Sequence, residues 1–468
     1  METKSLPFDC YFQNWFQIYS ILSVCIGAFT TAASFSWSSP TIPILISNSS
    51  HIPNVTLEEA SYFSVISAAF TIVGTPLTSI LTELIGRKKV ILLMSIPQGL
   101  AWVLIATTNN LTYLYISRIL CGLADTVVNI TVPTYIGEIA TPSVRGSWGN
   151  LLIILLYFGQ FLINVIGAYY DIVTTAVIFL CVPIAHFILV MFVPESPYYL
   201  LAKNKVKEAE KSLQILRWSN NVRDELNSLS NDVKRQTSES GTLKDVFMDA
   251  VNRKALIICI VLRLSQHFSG ISAFCVYTQY IFSLAGSNLS ASTGAIIYTG
   301  ICLGMSSVYA FVADKFGRRY MLIVSSIGCT FALLVESVYF YIRFETQIDL
   351  SNVNWIPLAG MVLYVIASTC GIGLLPHLIT GELFSANVKS KAVGVVNINV
   401  SLGMIIAPKL FQVLSEYVGP YLPFLVFAVC TFLTLIFCFL YVPETKGKTL
   451  EEIQQILMHK NEKASNQK

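Results

Sequence analysis

Glu83-Leu84-Ile85-Gly86-Arg87-Lys88 and Asp314-Lys315-Phe316-Gly317-Arg318-Arg319 are two versions of one motif, their glycines 231 positions apart. The echo extends outward from there. Glu138 stands seven residues before Arg145 and Glu382 seven before Lys389, the glutamates being 244 apart; Pro194-Glu195-Ser196 returns as Pro443-Glu444-Thr445, 249 apart. Acid/base elements repeated in one order at nearly one offset are what an internal duplication leaves behind. Each closes a long apolar run, so the duplicated unit is a membrane bundle. The expected fold is an all-α membrane protein of two pseudo-symmetric six-helix bundles.

Composition agrees. Apolar residues make up 54% of the 468, and charged residues only 12%. A globular chain carries about 25% charged residues, so most of this surface is made for lipid. Twelve apolar stretches, near 15–39, 61–81, 90–107, 113–132, 147–168, 172–193, 255–283, 292–313, 320–342, 355–379, 392–415 and 421–442, are close to the length a helix needs to cross the hydrocarbon core. Lipid offers no partners to backbone polar groups, so these are helices and not open strands. The corresponding domains are 1–193, a cytosolic helical linker over 194–253, a second bundle over 254–442, and a tail over 443–468.

With the N-terminus in the cytosol, 26 of the 30 Lys and Arg fall in inner segments and one, Arg343, in an outer loop. The remaining three, Arg118, Arg263 and Lys409, lie inside apolar stretches. So uneven a split sets orientation, with both termini cytosolic. The sequons at Asn48, Asn54, Asn110 and Asn288 all fall in the outer loops of this topology, and Asn48 and Asn54 occupy the loop long enough for glycosylation. The net charge of +3 reflects the inner bias and gives no reason to expect nucleic acid. No cleavable signal peptide is expected, because the first apolar run is a full span. Ten of the eleven cysteines lie in apolar segments and none lies in an outer loop, so they read as small core residues and not as a disulfide or metal framework.

Within the linker, Lys203 to Trp218 reads as an amphipathic helix and Asn220 to Gly241 as a polar, turn-rich connector. In the tail, Thr449-Leu450-Glu451-Glu452-Ile453 has the spacing of a capping box.

With these residues placed, the chain resembles a sugar porter of the major facilitator superfamily, in particular the insect facilitated trehalose transporter-like group. The likeness runs from about Gln17 to Ile453. In the first half it is carried by Gly86-Arg87-Lys88, Arg118 with Gly122, Pro133-x-Tyr135-x-x-Glu138 with Arg145-Gly146, and Pro194-Glu195-Ser196-Pro197. The second half adds Gln266-x-x-Ser269-Gly270-Ile271, Asp314-x-x-Gly317-Arg318-Arg319, Gly381-Glu382-Leu383-Phe384, and Pro443-Glu444-Thr445-Lys446-Gly447-x-Thr449-Leu450. The resemblance implies alternating access between two rocking bundles, held on the inner side by a reversible charge network. Arg87, Glu138 and Arg145 of the first half would meet Glu195, Arg318, Glu382, Lys389 and Glu444. Lys389 stands where the family usually has arginine, replacing a planar fork by a point charge.

The implied sugar pocket departs from the family pattern. The usual Gln-Gln-x-x-Gly-Ile-Asn reads Gln266-His267-Phe268-Ser269-Gly270-Ile271-Ser272, and the tryptophan of the tenth helix is His377. Eight residues after Arg145, where glucose carriers have a sugar-binding Gln, this chain has Ile153. Candidate substrate-binding residues are Gln266, His267, Ser272, Tyr277, His377 and Asn399. The alternative for Gln266 is helix-to-helix glue, a common role of membrane amides, and for the histidines, neutral packing. Gly371, Gly373 and Pro376 are expected to break the tenth helix. The intramembrane charges Arg118, Asp125 and Arg263 are candidates in their own right.

The function read from all this is facilitative movement of a small carbohydrate, trehalose or a hexose, across the plasma membrane. The alternatives are a transporter-like sensor without turnover and a proton-coupled symporter. In proton-coupled relatives a first-helix Asp works beside Arg118, and here that position is Ala33, which favours uniport. The partners are a sugar and the bilayer. No cofactor, metal, nucleic acid or obligate protein partner is implied, and no nucleophile/base constellation suggests an enzyme.

Overall fold

The computed structural model describes residues 7–47, 52, 55–238, 242–286, 289–312, 316–384, 386–448, 452–453 and 455–456. Asn48, Asn54, Asn288, Asp314 and the Thr449-Leu450-Glu451 start of the tail motif lie outside them.

Every regular element among the described residues is helical. Twelve are long and apolar enough to cross a membrane: Asn14–Leu45, Leu57–Ile85, Arg87–Thr107, Leu111–Ile139, Leu151–Tyr169, Ile172–Met191, Ala250–Ala285, Ala291–Tyr309, Arg318–Glu345, Ser351–Thr369, Val388–Tyr417 and Tyr421–Leu440. They are numbered here as the first to twelfth spans. Their outer stripes remain apolar and exposed. On the second span Val73, Leu77, Ile80 and Leu84 follow one another at helical spacing, and on the third Leu93, Ile96, Leu100 and Val103 do the same. Water would penalise such stripes, whereas lipid accepts them. The chain is a multi-pass membrane protein.

Helix starts are fixed by short polar side chains. Asn110 of one sequon accepts the Thr112 N–H at 2.9 Å and so caps the fourth span. Thr242 and Asp245 form a capping box on the short helix Leu243–Met248, and Asp249 caps the seventh span.

Two spans are broken. The tenth ends at Thr369 and the chain resumes helix at Leu375, with Gly371 and Gly373 in the turn between. The seventh divides into Ala250–Phe268 and Ile271–Ala285 around Gly270, whose φ of +101° is left-handed and whose missing Cβ leaves room for the rings of Phe274 and Phe427. The sequence reading did not foresee this second break.

Contacts divide the chain into two compact units. One is Met1–Ser34, Phe70–Gly159 and Asp171–Ser240; the other is Phe35–Ala69, Gln160–Tyr170 and Gly241–Lys468. The second unit therefore takes in one end each of the first, second and fifth spans. In the first unit the linker forms three helices, Pro197–Ala202, Val206–Arg217 and Arg223–Ser238. The last corrects the expectation of a turn-rich connector over Asn220 to Gly241. Val222, Leu226, Leu229 and Val233 recur at helical spacing and pack with Leu200, Leu201, Ala209 and Leu213 into a small core of their own. The Asn and Ser residues between them had masked that stripe. Arg217 joins two of these helices by a fork to Glu225 at 2.7 and 3.0 Å, and donates to the Ile139 carbonyl at 2.9 Å.

Candidate functional site

The repeated motifs build two arches of the same design at the basic ends of the spans. In the first unit, Gly86 ends the second span and opens the third. No side chain of its own turn caps the third span. Glu195 arrives instead from 108 residues away, and one of its oxygens accepts the backbone N–H groups of Arg87 and Lys88, each at 3.0 Å, and of Ser196 at 2.9 Å. A carboxylate at a helix start satisfies orphan donors and complements the helix dipole. Gly86 has φ +100°, and a Cβ there would strike Glu195, so glycine is what lets the carboxylate approach. Burial pushes the Glu195 carboxyl up, opposed by the N–H groups of Lys88, Ser196 and Arg87 and by the Arg87 charge. The Arg87 side chain forks onto Glu138, Nε at 3.1 Å and Nη2 at 2.9 Å. Ser196 Oγ donates to the same carboxylate. Tyr135 ties the arch down through its hydroxyl to the Pro194 carbonyl at 2.6 Å.

The second unit repeats this plan with different atoms. Glu444 accepts the N–H groups of Arg318 at 2.9 Å and Arg319 at 3.1 Å, beside Gly317. Arg318 Nη2 reaches Glu382 at 3.3 Å, and Thr445 Oγ1 donates to Glu382 at 2.5 Å. The sequence reading had all these charges meeting in one latch. Within each unit the glutamates bond to their own helix start and their own arginine. Arg145 and Lys389 are exposed.

The middles of the spans differ. In the first unit Arg118 is buried, and its Nη1 donates to the Ser34 carbonyl at 2.7 Å, next to buried Ala33. The first-span group that Arg118 meets is thus a main-chain oxygen. Asp125, also buried, is near enough for its charge to act on Arg118.

In the second unit Gln266, His267 and Ser272 lie at the seventh-span break, and Gln266 reaches the tenth-span break. Gln266 is half-buried, and its amide is used at both ends: Oε1 accepts from Arg263 Nη1 at 2.6 Å, while Nε2 donates to the Gly373 carbonyl, freed by the tenth-span break, at 2.5 Å. That carbonyl is available because the turn interrupts the helical ladder, a signal present in the sequence as the Gly-x-Gly stretch. The Gln266 amide has capacity for further bonds, but its fixed role is structural. His267 is buried, with Nδ1 2.5 Å from Ser272 Oγ. His377 is exposed, one turn past Gly373. Asn399 is half-buried, its Nδ2 bonded back to the Val395 carbonyl at 2.9 Å. Tyr277 is not beside Gln266. It is fully buried at a kink, stacked 5.2 Å from Phe411, with its hydroxyl toward Ser61.

Tyr277 belongs to a second cluster within this unit, at the ends opposite the basic ones. Ser39 Oγ donates to Asn164 Oδ1 at 2.8 Å and receives the Gln279 N–H at 3.3 Å, joining the first, fifth and seventh spans. Ser36 Oγ and Cys275 Sγ are 2.7 Å apart. Lys409 of the eleventh span reaches Ser61 Oγ at 3.0 Å and Glu58 at 3.8 Å, with its ammonium 4.5 Å from the centre of the Tyr62 ring. Sequence reasoning placed Lys409 in a span but gave it no task. Its signal was an intramembrane cation on one span and an acidic start, Glu58-Glu59, on another.

Residues 19–457 match the family model described as sugar (and other) transporter. The facilitated trehalose transporter Tret1 of Bombyx mori is 30% identical over 447 residues, covering 95% of this chain and 87% of that protein. The proton:xylose symporter XylE, solved with 6-bromo-6-deoxy-D-glucose, superposes with a TM-score of 0.75 at 20% identity, covering 95% of this chain and 100% of that one. The inward open conformation of XylE from E. coli superposes with a TM-score of 0.74 at 19% identity, covering 93% and 98%. The chain has the major facilitator fold, and it belongs to the sugar (and other) transporter family.

Proposed function

We propose that this protein is a facilitative carrier of a small carbohydrate at the plasma membrane, with both termini and the helical linker in the cytosol. The family match across nearly the whole chain supports sugar transport, as does the similarity to facilitated trehalose transporters. The single observation that favours uniport is at Arg118. One of its partners, at 2.7 Å, is the Ser34 carbonyl of the first span, and the adjacent Ala33 offers no proton site. In this reading the carrier, with no Asp or Glu on its first span, moves its cargo down its own gradient.

In this reading the arches make each half's basic end a stiff body. The exposed Arg145 and Lys389 are then left to engage the opposite half transiently. Exposed pairs are worth only about 0–1 kcal/mol each, enough to bias two states without locking either. The Ser39–Asn164–Gln279 junction and the Lys409 contacts serve as the outer closure.

The test is uptake in proteoliposomes across trehalose, glucose, fructose and a polyol. The expected result is equilibration without accumulation, unchanged by a proton uncoupler. Sugar-driven inward proton current abolished by Asp125→Asn would replace uniport by symport. Saturable binding with no flux of any sugar would replace the carrier by a sensor. Glycan on Asn48 or Asn54, and cytosolic access of an epitope at residue 230, check the orientation.

A further inference from the structure

Of the cations inside the spans, Arg118 has the Asp125 charge in reach and Lys409 has Glu58. Arg263 differs. Among the described residues of its own unit its hydrogen-bond partner is the neutral amide of Gln266, and the ionisable groups that feel its charge are Cys259, His267 and His377. None of these is an acid that ionises near neutral pH. A guanidinium does not lose its proton under such conditions, and an intramembrane charge without compensation is costly. Compensation must come from elsewhere.

The geometry says where. Arg263 is half-buried, with one turn of helix between it and the seventh-span break, and Gln266 links it to the Gly373 carbonyl at the tenth-span break. Broken spans in carriers of this kind surround the cargo. The chain Gly373 carbonyl, Gln266 amide, Arg263 guanidinium holds the charged group in one orientation, using one donating edge and leaving the other N–H groups to a ligand. Those N–H groups form a planar fork, and the shape that fits a fork is a carboxylate.

We propose that Arg263, positioned by Gln266, recognises a carboxylate on the cargo, so that the carried carbohydrate is a sugar monoacid of the uronate or aldonate class. This rests on the sugar-carrier reading and narrows it. One fixed positive charge matches one carboxylate; a phosphate ester carries more charge than this site neutralises.

The experiment is uptake of glucose, glucuronate and glucose 6-phosphate by the reconstituted full-length protein, wild type beside Arg263→Gln, Arg263→Lys and Asp125→Asn. Wild type is expected to favour glucuronate over glucose by at least about tenfold in kcat/KM, the smallest selectivity expected from a charge-assisted hydrogen bond. Arg263→Gln, which keeps an amide beside Gln266, should abolish that preference, and Arg263→Lys should retain it with weaker apparent affinity. Three outcomes overturn the inference while leaving the carrier intact: glucose favoured in wild type with the ratio unchanged in Arg263→Gln; glucose 6-phosphate favoured over glucuronate; or an acid preference that appears only in Asp125→Asn, which would make Asp125 the counter-ion. Flux of none of the three compounds, nor of any neutral sugar, would overturn the carrier reading itself.

Discussion

The basic ends of the two halves and the middles of their spans tell opposite stories. At the ends, Glu195 and Glu444 do the same task, Glu195 with one carboxylate oxygen and Glu444 with both. Each accepts two successive backbone N–H groups at a helix start, beside a glycine and an arginine that pairs with a second glutamate. In the middles, Arg118 sits fully enclosed on a main-chain carbonyl, while Arg263 stands half-open on an amide. Duplication kept the hardware that shapes each half and let the central residues diverge. That is the pattern expected when both halves must move as similar bodies but only their inner surfaces must distinguish a cargo.

The strongest way to break the comparison is at the glycines. Gly86→Ala places a Cβ at φ +100° and against Glu195, whereas Gly317→Ala meets Glu444 from an ordinary φ of −67°. Both should lower the melting temperature in detergent. Gly86→Ala should lower it more, by the ~1–3 kcal/mol that this glycine-only backbone region costs a residue with a Cβ. Gly137→Ala, which meets nothing within 4 Å, is the control. Equal effects at 86 and 317 would mean that the carboxylate contact alone matters.

Next come the carboxylates. Glu195→Gln and Glu444→Gln keep the shape but make the acceptor neutral, so each should cost on the order of 1 kcal/mol of stability, the difference between charged and neutral hydrogen bonds. Loss in only one of the two would show that the arches are alike in geometry but not in energy.

A smaller effect is expected at the pocket. Gln266→Ala should raise the apparent KM for the carried sugar by roughly 2- to 12-fold, the worth of one hydrogen bond, with surface expression retained. Unchanged KM for every carried sugar would confine Gln266 to holding helices together.

Smallest is the far-end contact. Lys409→Met should increase the labelling rate of Cys275 by a hydrophilic thiol reagent a few-fold at most, since a partly exposed ion pair contributes about 0–1 kcal/mol. No change would remove Lys409 from the outer closure.

Span number and membrane character were readable from local information. A helix crossing lipid must satisfy its own backbone and cover itself with apolar side chains, and both requirements are written in consecutive residues. The duplication was readable for the same reason, because its motifs lie at span ends where charge interrupts the apolar run. The tenth-span break announced itself through Gly371 and Gly373. The seventh-span break did not, since Ser269-Gly270 sits in an otherwise continuous apolar run and only the Phe274 and Phe427 rings show why glycine is needed there.

What tertiary structure alone decided was which partner each polar group chose. Sequence placed Glu195, Glu138 and Arg87 together as a charge set, but not Glu195 as the cap of a helix 108 residues away. It placed Gln266 in a pocket and Arg263 in a span, but not the bonds that make the first a brace for the second. Partner choice depends on distances between helices that no local pattern encodes. In lipid, where a polar group has no water to fall back on, that choice determines which groups serve the fold and which remain open to the cargo.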